Sequence, residues 1–194
     1  MVSGKGGHRY DVIVLGASTG GPKAVREVLA ALPRDFPAGI AYVQHMEERY
    51  YPSYAEWLDG KIALHARLAG EDDFPRPGEV VVAPGGRHLV YRSGRLCLDD
   101  GPPVAGLRPC VDRLFVSAAE NFGSRVIGVL LTGMGADGAA GCVEIMRRGG
   151  YTVAQDRETS VIFGMAESAI RQGGITIVLP LREIAKHLIH LTSD

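Results

Sequence analysis

The stretch Asp11–Pro22, DVIVLGASTGGP, decides how the chain is read. Asp11–Gly16 is a short, β-branched apolar run that stops at a glycine-rich turn, the pattern of a strand buried on both faces of a sheet. The segment Pro22–Leu32 then carries Val25, Val28, Leu29 and Leu32 at helical spacing, with a proline where the first helical turn tolerates one. Strand, tight turn and amphipathic helix together make the opening unit of a parallel α/β fold.

Outward from this unit the alternation repeats. Gly39–Gln44 (GIAYVQ) reads as a second buried strand and Pro52–Leu58 as a helix. Val80–Ala83 and Leu89–Arg92 read as strands, and Arg95–Leu98 pairs back across Ser93-Gly94 as a hairpin. Pro109 opens a helical stripe of Val111, Leu114, Phe115, Ala118 and Phe122. Val126–Leu131 is the most apolar strand, and the helix after it, marked by Ala139, Cys142, Val143 and Met146, stops at Gly149-Gly150. Tyr151–Gln155 and Ile175–Leu179 are strands, and Leu181, Ile184, Leu188 and Leu191 line a closing helix. The expected fold is a three-layer α/β/α domain with a mostly parallel, doubly wound sheet and a small β-hairpin insertion. One domain is expected over residues 11–194, after a flexible, glycine-rich tail at residues 1–10.

Composition removes several classes of function. Lys plus Arg is 21 and Asp plus Glu 22, a net charge of −1 with no basic run, which speaks against a nucleic-acid partner. The three cysteines, Cys97, Cys110 and Cys142, form no CxxC, so neither a disulfide framework nor a zinc ribbon is expected. No apolar stretch approaches the ~20 residues of a membrane span, and no signal-peptide core is present. The expected setting is the reducing cytoplasm. No HExxH or other metal spacing occurs, and no cofactor is expected.

The turn after the first strand fits G-x-S-x-G, as Gly16-Ala17-Ser18-Thr19-Gly20. Its glycines let the backbone turn sharply and let a substrate reach Ser18, while the next helix aims its free N–H groups at the same spot. The alternative reading is a phosphate cradle in a nucleotide-binding enzyme. Against it, the spacing is not G-x-G-x-x-G, no G-x-x-x-x-G-K-[ST] occurs, and the second strand ends in Gln44-His45, not in the acid that would hold a ribose.

His45 therefore shares the C-terminal edge of the sheet with Ser18. Asp137, in the loop Thr132-Gly133-Met134-Gly135-Ala136-Asp137-Gly138, follows the strongest strand and reaches the same edge. Taken alone, Asp137 reads best as the N-cap of the next helix. Together the three residues form a candidate Ser/His/Asp triad for acyl transfer. The chain order Ser…His…Asp is not that of an α/β-hydrolase.

At this point the chain resembles the catalytic domain of the chemotaxis receptor methylesterases (CheB). The matching segments are IVLGASTGGPKA, VQHM, VVAPGGRHL, DGPP, RPCVDRLF, GVLLTGMGADGAAG, AQD and FGMAESAI, from about Val12 to about Ile170. The resemblance implies hydrolysis of glutamate γ-methyl esters on cytoplasmic helices of chemoreceptors, and it allows for deamidation of receptor glutamines. Ser18 corresponds to the nucleophile, His45 to the general base and Asp137 to its partner. Thr19, Gly20 and Met134 fall in the substrate and oxyanion region. Glu47-Glu48-Arg49-Tyr50-Tyr51 departs from the family's Pro-Pro-x-Phe-like stretch at the receptor-facing lip. The family's receiver domain is absent from this chain, so the cleft is expected to be open and any regulatory partner domain separate. A rival from another class is a catalytically silent receptor-docking module.

Overall fold

The computed structural model describes residues 10–193. β1 (Val12–Ala17) lies at the centre of a seven-stranded sheet in which every pairing is parallel. The chain runs through α1 (Gly21–Ala30) to β2 (Gly39–Gln44) on one side of β1. It continues through α2 (Tyr51–Asp59) to β3 (His65–Leu68) at the edge, and returns as β4 (Glu79–Val82) between β3 and β2. An antiparallel hairpin, β5 (His88–Arg92) with β6 (Arg95–Asp99), stands apart from the sheet. From there α3 (Val111–Phe122) leads to β7 (Val126–Leu130), which pairs with β1 on its other side. α4 (Ala139–Arg147), β8 (Tyr151–Gln155), α5 (Met165–Arg171), β9 (Ile177–Leu179) and α6 (Leu181–Thr192) complete that half.

The strand order β3-β4-β2-β1-β7-β8-β9 reverses direction about β1. At such a switch point the connections diverge and leave a crevice beyond the strand C-termini. The strands beside it are buried on both faces: Ile13, Leu15 and Ala17 of β1 join the core shared with Val28, Leu29 and Leu188. Val12 and Val14 face the opposite core, with Leu114, Phe115 and Ile145. Each fully buried Val, Leu, Ile or Phe side chain among these contributes roughly 1.5–3 kcal/mol. The crevice is therefore framed by the best-anchored strands in the molecule.

The architecture agrees with the expected three layers and hairpin, with local differences. β3 is only faintly marked in the sequence, by a short strand-like segment at His65: only Ala66 of its four residues is buried, so the apolar signal is nearly absent. α5 likewise buries only Met165, Ala166 and Ala169, too few for a clear stripe. β9 begins at Ile177 rather than Ile175, and just before it Thr176 exchanges hydroxyl hydrogen bonds with Thr152. Of the expected tail, residues 1–9 lie outside the described residues. Tyr10 is buried, edge-on to the Tyr151 ring.

Candidate active site

In the parallel ladder Ala17 stands opposite Gln44 and Gly16 opposite Leu130. Hydrogen bonds continue past the strand ends: His45 N–H donates to the Ala17 carbonyl (3.0 Å) and Ser18 N–H to the Thr132 carbonyl (3.0 Å). Ser18 thus leaves the sheet between the two loops that carry His45 and Asp137.

The Ser18 turn is held by its backbone. Its carbonyl accepts from Gly21 N–H (2.8 Å) and from the Gln44 side-chain amide (2.8 Å). The left-handed residue is Gly20, at φ 80°, so the sharp turn falls on a residue without a Cβ and not on the serine itself. This differs from the strained elbow that the G-x-S-x-G pattern suggests. Among the described residues the Ser18 hydroxyl makes no hydrogen bond, and none joins it to His45.

In the sequence Gln44 is marked only as the end of a strand. It is buried, and its amide donates both to the Ser18 carbonyl and to the His45 carbonyl (3.0 Å), while its oxygen accepts from Tyr42 (2.6 Å). One side chain therefore fixes both loops. Gln44→Leu would take the side-chain donor from the His45 carbonyl and leave the Ser18 carbonyl with Gly21 N–H alone. It is expected to lower unfolding stability by about 1–3 kcal/mol, and turnover with it. Denaturant melts and initial rates check this; unchanged values for both would deny Gln44 its role.

His45 Nε2 lies 2.8 Å from Asp137 Oδ2, with side-chain exposures of only 10% and 7%. Asp137 is not the N-cap of α4; that position is Gly138, and no side chain caps it. The Asp137 carboxylate sits instead on the start of α3. Oδ2 accepts from Val111 N–H (2.7 Å), and Oδ1 from Asp112 N–H (2.9 Å) and from the Cys110 thiol (3.0 Å). Burial alone would raise its pKa. The hydrogen bonds from His45, Cys110 and the two amides outweigh that and hold the carboxyl below its ordinary range. Burial and then the neighbouring Asp137 push the Cys110 thiol up to about 12, so it stays a neutral donor.

Thr19 is exposed, Gly20 half-buried, and Met134 projects at 72% exposure. Among the described residues the N–H groups of Thr19, Gly20 and Met134 donate to no acceptor. Thr132 ties these loops together: its hydroxyl donates to the Thr19 carbonyl (2.9 Å) and accepts from Ile162 N–H (3.0 Å), while its N–H donates to Gln155 (2.8 Å). Gly133 lets the third loop come close. A Cβ there would lie 2.1 Å from Met165 Sδ and 2.7 Å from Ser18 Cβ. Gly133→Ala is expected to displace Ser18 or Met165, costing about 1–3 kcal/mol of stability. Misplacing the serine by such an amount should lower kcat/KM by roughly 10²-fold. Labelling of Ser18 by a fluorophosphonate should slow in parallel; unimpaired labelling and turnover would show that the gap is not needed.

Among the described residues no group of three or more His, Cys, Asp or Glu side chains is placed to hold a metal ion. No helix among them is long and apolar enough to cross a membrane. The set of a free hydroxyl, an imidazole backed by a carboxylate, and unpaired amides at one crevice is suited to acyl transfer. The family model described as CheB methylesterase matches residues 13–188. The chain belongs to the CheB methylesterase family. The crystal structure of the Thermotoga maritima CheB methylesterase catalytic domain superposes with a TM-score of 0.90 at 39% identity, covering 94% of this chain and 98% of that one. Protein-glutamate methylesterase FrzG of Myxococcus xanthus is 49% identical over 93% of this chain and 54% of its own length. Protein-glutamate methylesterase/protein-glutamine glutaminase 2 of Anaeromyxobacter dehalogenans is 50% identical over 95% and 54%. The chain spans about half the length of these two relatives.

Proposed function

We propose that residues 11–194 act as one catalytic unit that hydrolyses methyl esters of glutamate side chains on cytoplasmic chemoreceptor helices. The observation that carries this reading is the orientation of His45. Its Nε2 is engaged by Asp137, which leaves Nδ1 as the nitrogen able to take a proton from Ser18; each of the two residues directly follows one of the paired strand ends, Ala17 and Gln44. Ser18 Oγ attacks the ester carbonyl as His45 Nδ1 accepts its proton. Asp137 fixes the tautomer and stabilises the imidazolium. The unpaired amides of Thr19, Gly20 and Met134 are the candidate oxyanion donors, each worth about 3–4 kcal/mol where well aimed. Methanol leaves with the proton from His45, and water repeats the cycle on the acyl-serine. The same attack on a glutamine side chain releases ammonia, in keeping with the double name of the Anaeromyxobacter relative.

A helical substrate suits the rim. Met134, Val161 and Tyr50 are exposed at 72%, 67% and 48%; Met134 and Val161 stand close to the serine turn, and Tyr50 lies in the lip. They offer an apolar surface to the flank of an amphipathic helix. In the lip, Glu47 pairs with Arg49 (2.9 Å), while Glu48 lies over Gly85 and Gly86. Glu47 is therefore paired, while Glu48 is the exposed lip carboxylate without a cation partner among the described residues. The test is methanol release from a receptor-helix peptide carrying a glutamate methyl ester. A folded enzyme that frees no methanol overturns the reading, and stabilisation by nucleotides would favour the phosphate-cradle alternative.

A further inference from the structure

Asp137 and Asp112 cap each other's helices. Asp137, just before α4, takes the first two amides of α3. Asp112, the second residue of α3, returns the contact: its Oδ1 accepts from Gly141 N–H of α4 (2.7 Å). The two helices meet closely here, since a Cβ at Gly141 would lie 2.4 Å from Phe115 Cβ and 3.3 Å from Asp112 Oδ1. The result is two carboxylates side by side, only one of which touches His45.

A cap alone does not call for a second acid, because Asn or Ser caps as well and carries no charge. The charged and titratable groups around Asp112 are few. Asp137 and Cys110 face it from the connections, and Cys142 faces it from α4. Arg92 of β5, with Arg113 and Glu120 of its own helix, lines the adjoining hollow. Both arginines are engaged by Asp99. Among the described residues no cation pairs with Asp112, so Asp137 is the charge it chiefly faces.

We propose that Asp112 is a positioning residue that, acting through Asp137, adds negative charge behind His45 and steadies the imidazolium formed during turnover. This rests on the acyl-transfer reading above. Burial, followed by the Asp137 charge, outweighs the Gly141 and Gly138 amides and raises the Asp112 carboxyl to about 6. The sign of the consequence is definite. An acid raised in the folded state favours folding while protonated, and its contribution is lost as pH climbs from the unfolded value near ~4 through about 6. Above that pH the Asp112 charge costs stability, and by this proposal it aids catalysis.

Asp112→Asn keeps the acceptor for Gly141 and mimics the protonated acid, so the experiment compares it with the unaltered chain from pH 5 to 8. At pH 5 the two should have similar kcat and melting temperature. At pH 8 the variant should melt higher yet turn over roughly three- to tenfold more slowly, as expected for losing a nearby charge at protein-like screening. KM should hardly move. Asp112→Ala, which also loses the cap, should melt lower at both pH values. A kcat ratio between wild type and Asp112→Asn that stays constant across the range would overturn the proposal and leave Asp112 as a cap. Ser18→Ala, run alongside, keeps the two ideas separate. If it stays active the acyl-transfer reading fails, whereas a dead Ser18→Ala with a flat Asp112→Asn ratio refutes the present inference alone.

Discussion

Ser18→Ala is expected to abolish methanol release while leaving the melting temperature unchanged. The second half of that expectation comes from the hydrogen bonds. The turn is held through Ser18 N–H to Thr132 and through the Ser18 carbonyl to Gly21 and Gln44, all of which survive the substitution. The hydroxyl itself bonds to nothing among the described residues, so its removal unpairs no partner, and the alanine Cβ keeps the contact with Gly133. The first half follows from nucleophilic catalysis. Without Oγ there is no acyl-serine, and loss of such a nucleophile costs on the order of 10⁶ in kcat in serine hydrolases studied this way. Adding His45→Ala should reduce the rate little further, since nucleophile and base act as a unit. Wild-type methanol release from a folded Ser18→Ala protein would remove Ser18 from the mechanism.

Much of the fold is legible in the chain, for reasons visible at particular residues. Gly39–Gln44 and Tyr151–Gln155 are read to the residue, because each is an apolar run in a sheet covered on both faces. Helix α6 is equally plain, its apolar stripe being unbroken from Leu181 to Leu188. The edge is where the reading fails. β3 exposes His65 and half-exposes Arg67 and Leu68, and its place is set by pairing with β4 rather than by its own pattern. The strand order is legible only for the neighbouring β1 and β2, and the place of β7 is not. That β1 sits between β2 and β7 is a property of pairing across more than 100 residues, and it is this order that brings the three loops together.

The candidate site divides along the same line. Ser18 and His45 stand directly after buried strands, so their common edge can be inferred from local pattern. The anchoring of Asp137 on α3 cannot. Its sequence neighbours favour a cap on α4, whereas its carboxylate is bonded 25 and 26 residues away, at the start of α3. For the same reason nothing local marks a role for Cys110 or Asp112, although RPCVDRLF is among the segments of resemblance. Gln44 was hidden by its position: a polar residue at a strand end looks like the start of a loop until its two carbonyl partners are seen.

Asp137→Asn should lower kcat by on the order of 10⁴ and, unlike Ser18→Ala, should also destabilise the fold. Both oxygens of Asp137 are acceptors. Oδ2 serves Val111 N–H and His45 Nε2, while Oδ1 serves Asp112 N–H and the Cys110 thiol. An asparagine has one acceptor and one donor, so in either orientation its NH₂ meets a backbone N–H of α3. One amide is left unpaired and two donors are opposed, a loss of about 1–3 kcal/mol. Toward His45 the outcome is worse for catalysis. With NH₂ in the Oδ2 position the amide donates to Nε2, which drives the imidazole proton onto Nδ1, the nitrogen that must accept from Ser18. With the amide oxygen there instead, the geometry survives but the charge that stabilises the imidazolium is gone. A role as α4 cap predicts neither effect, since asparagine caps as well as aspartate. The measurement is kcat per mole of folded enzyme, with folded fraction taken from the melt in the same buffer, so that lost stability is not counted as lost chemistry. Turnover within a fewfold of wild type on that basis would reduce Asp137 to an anchor for α3.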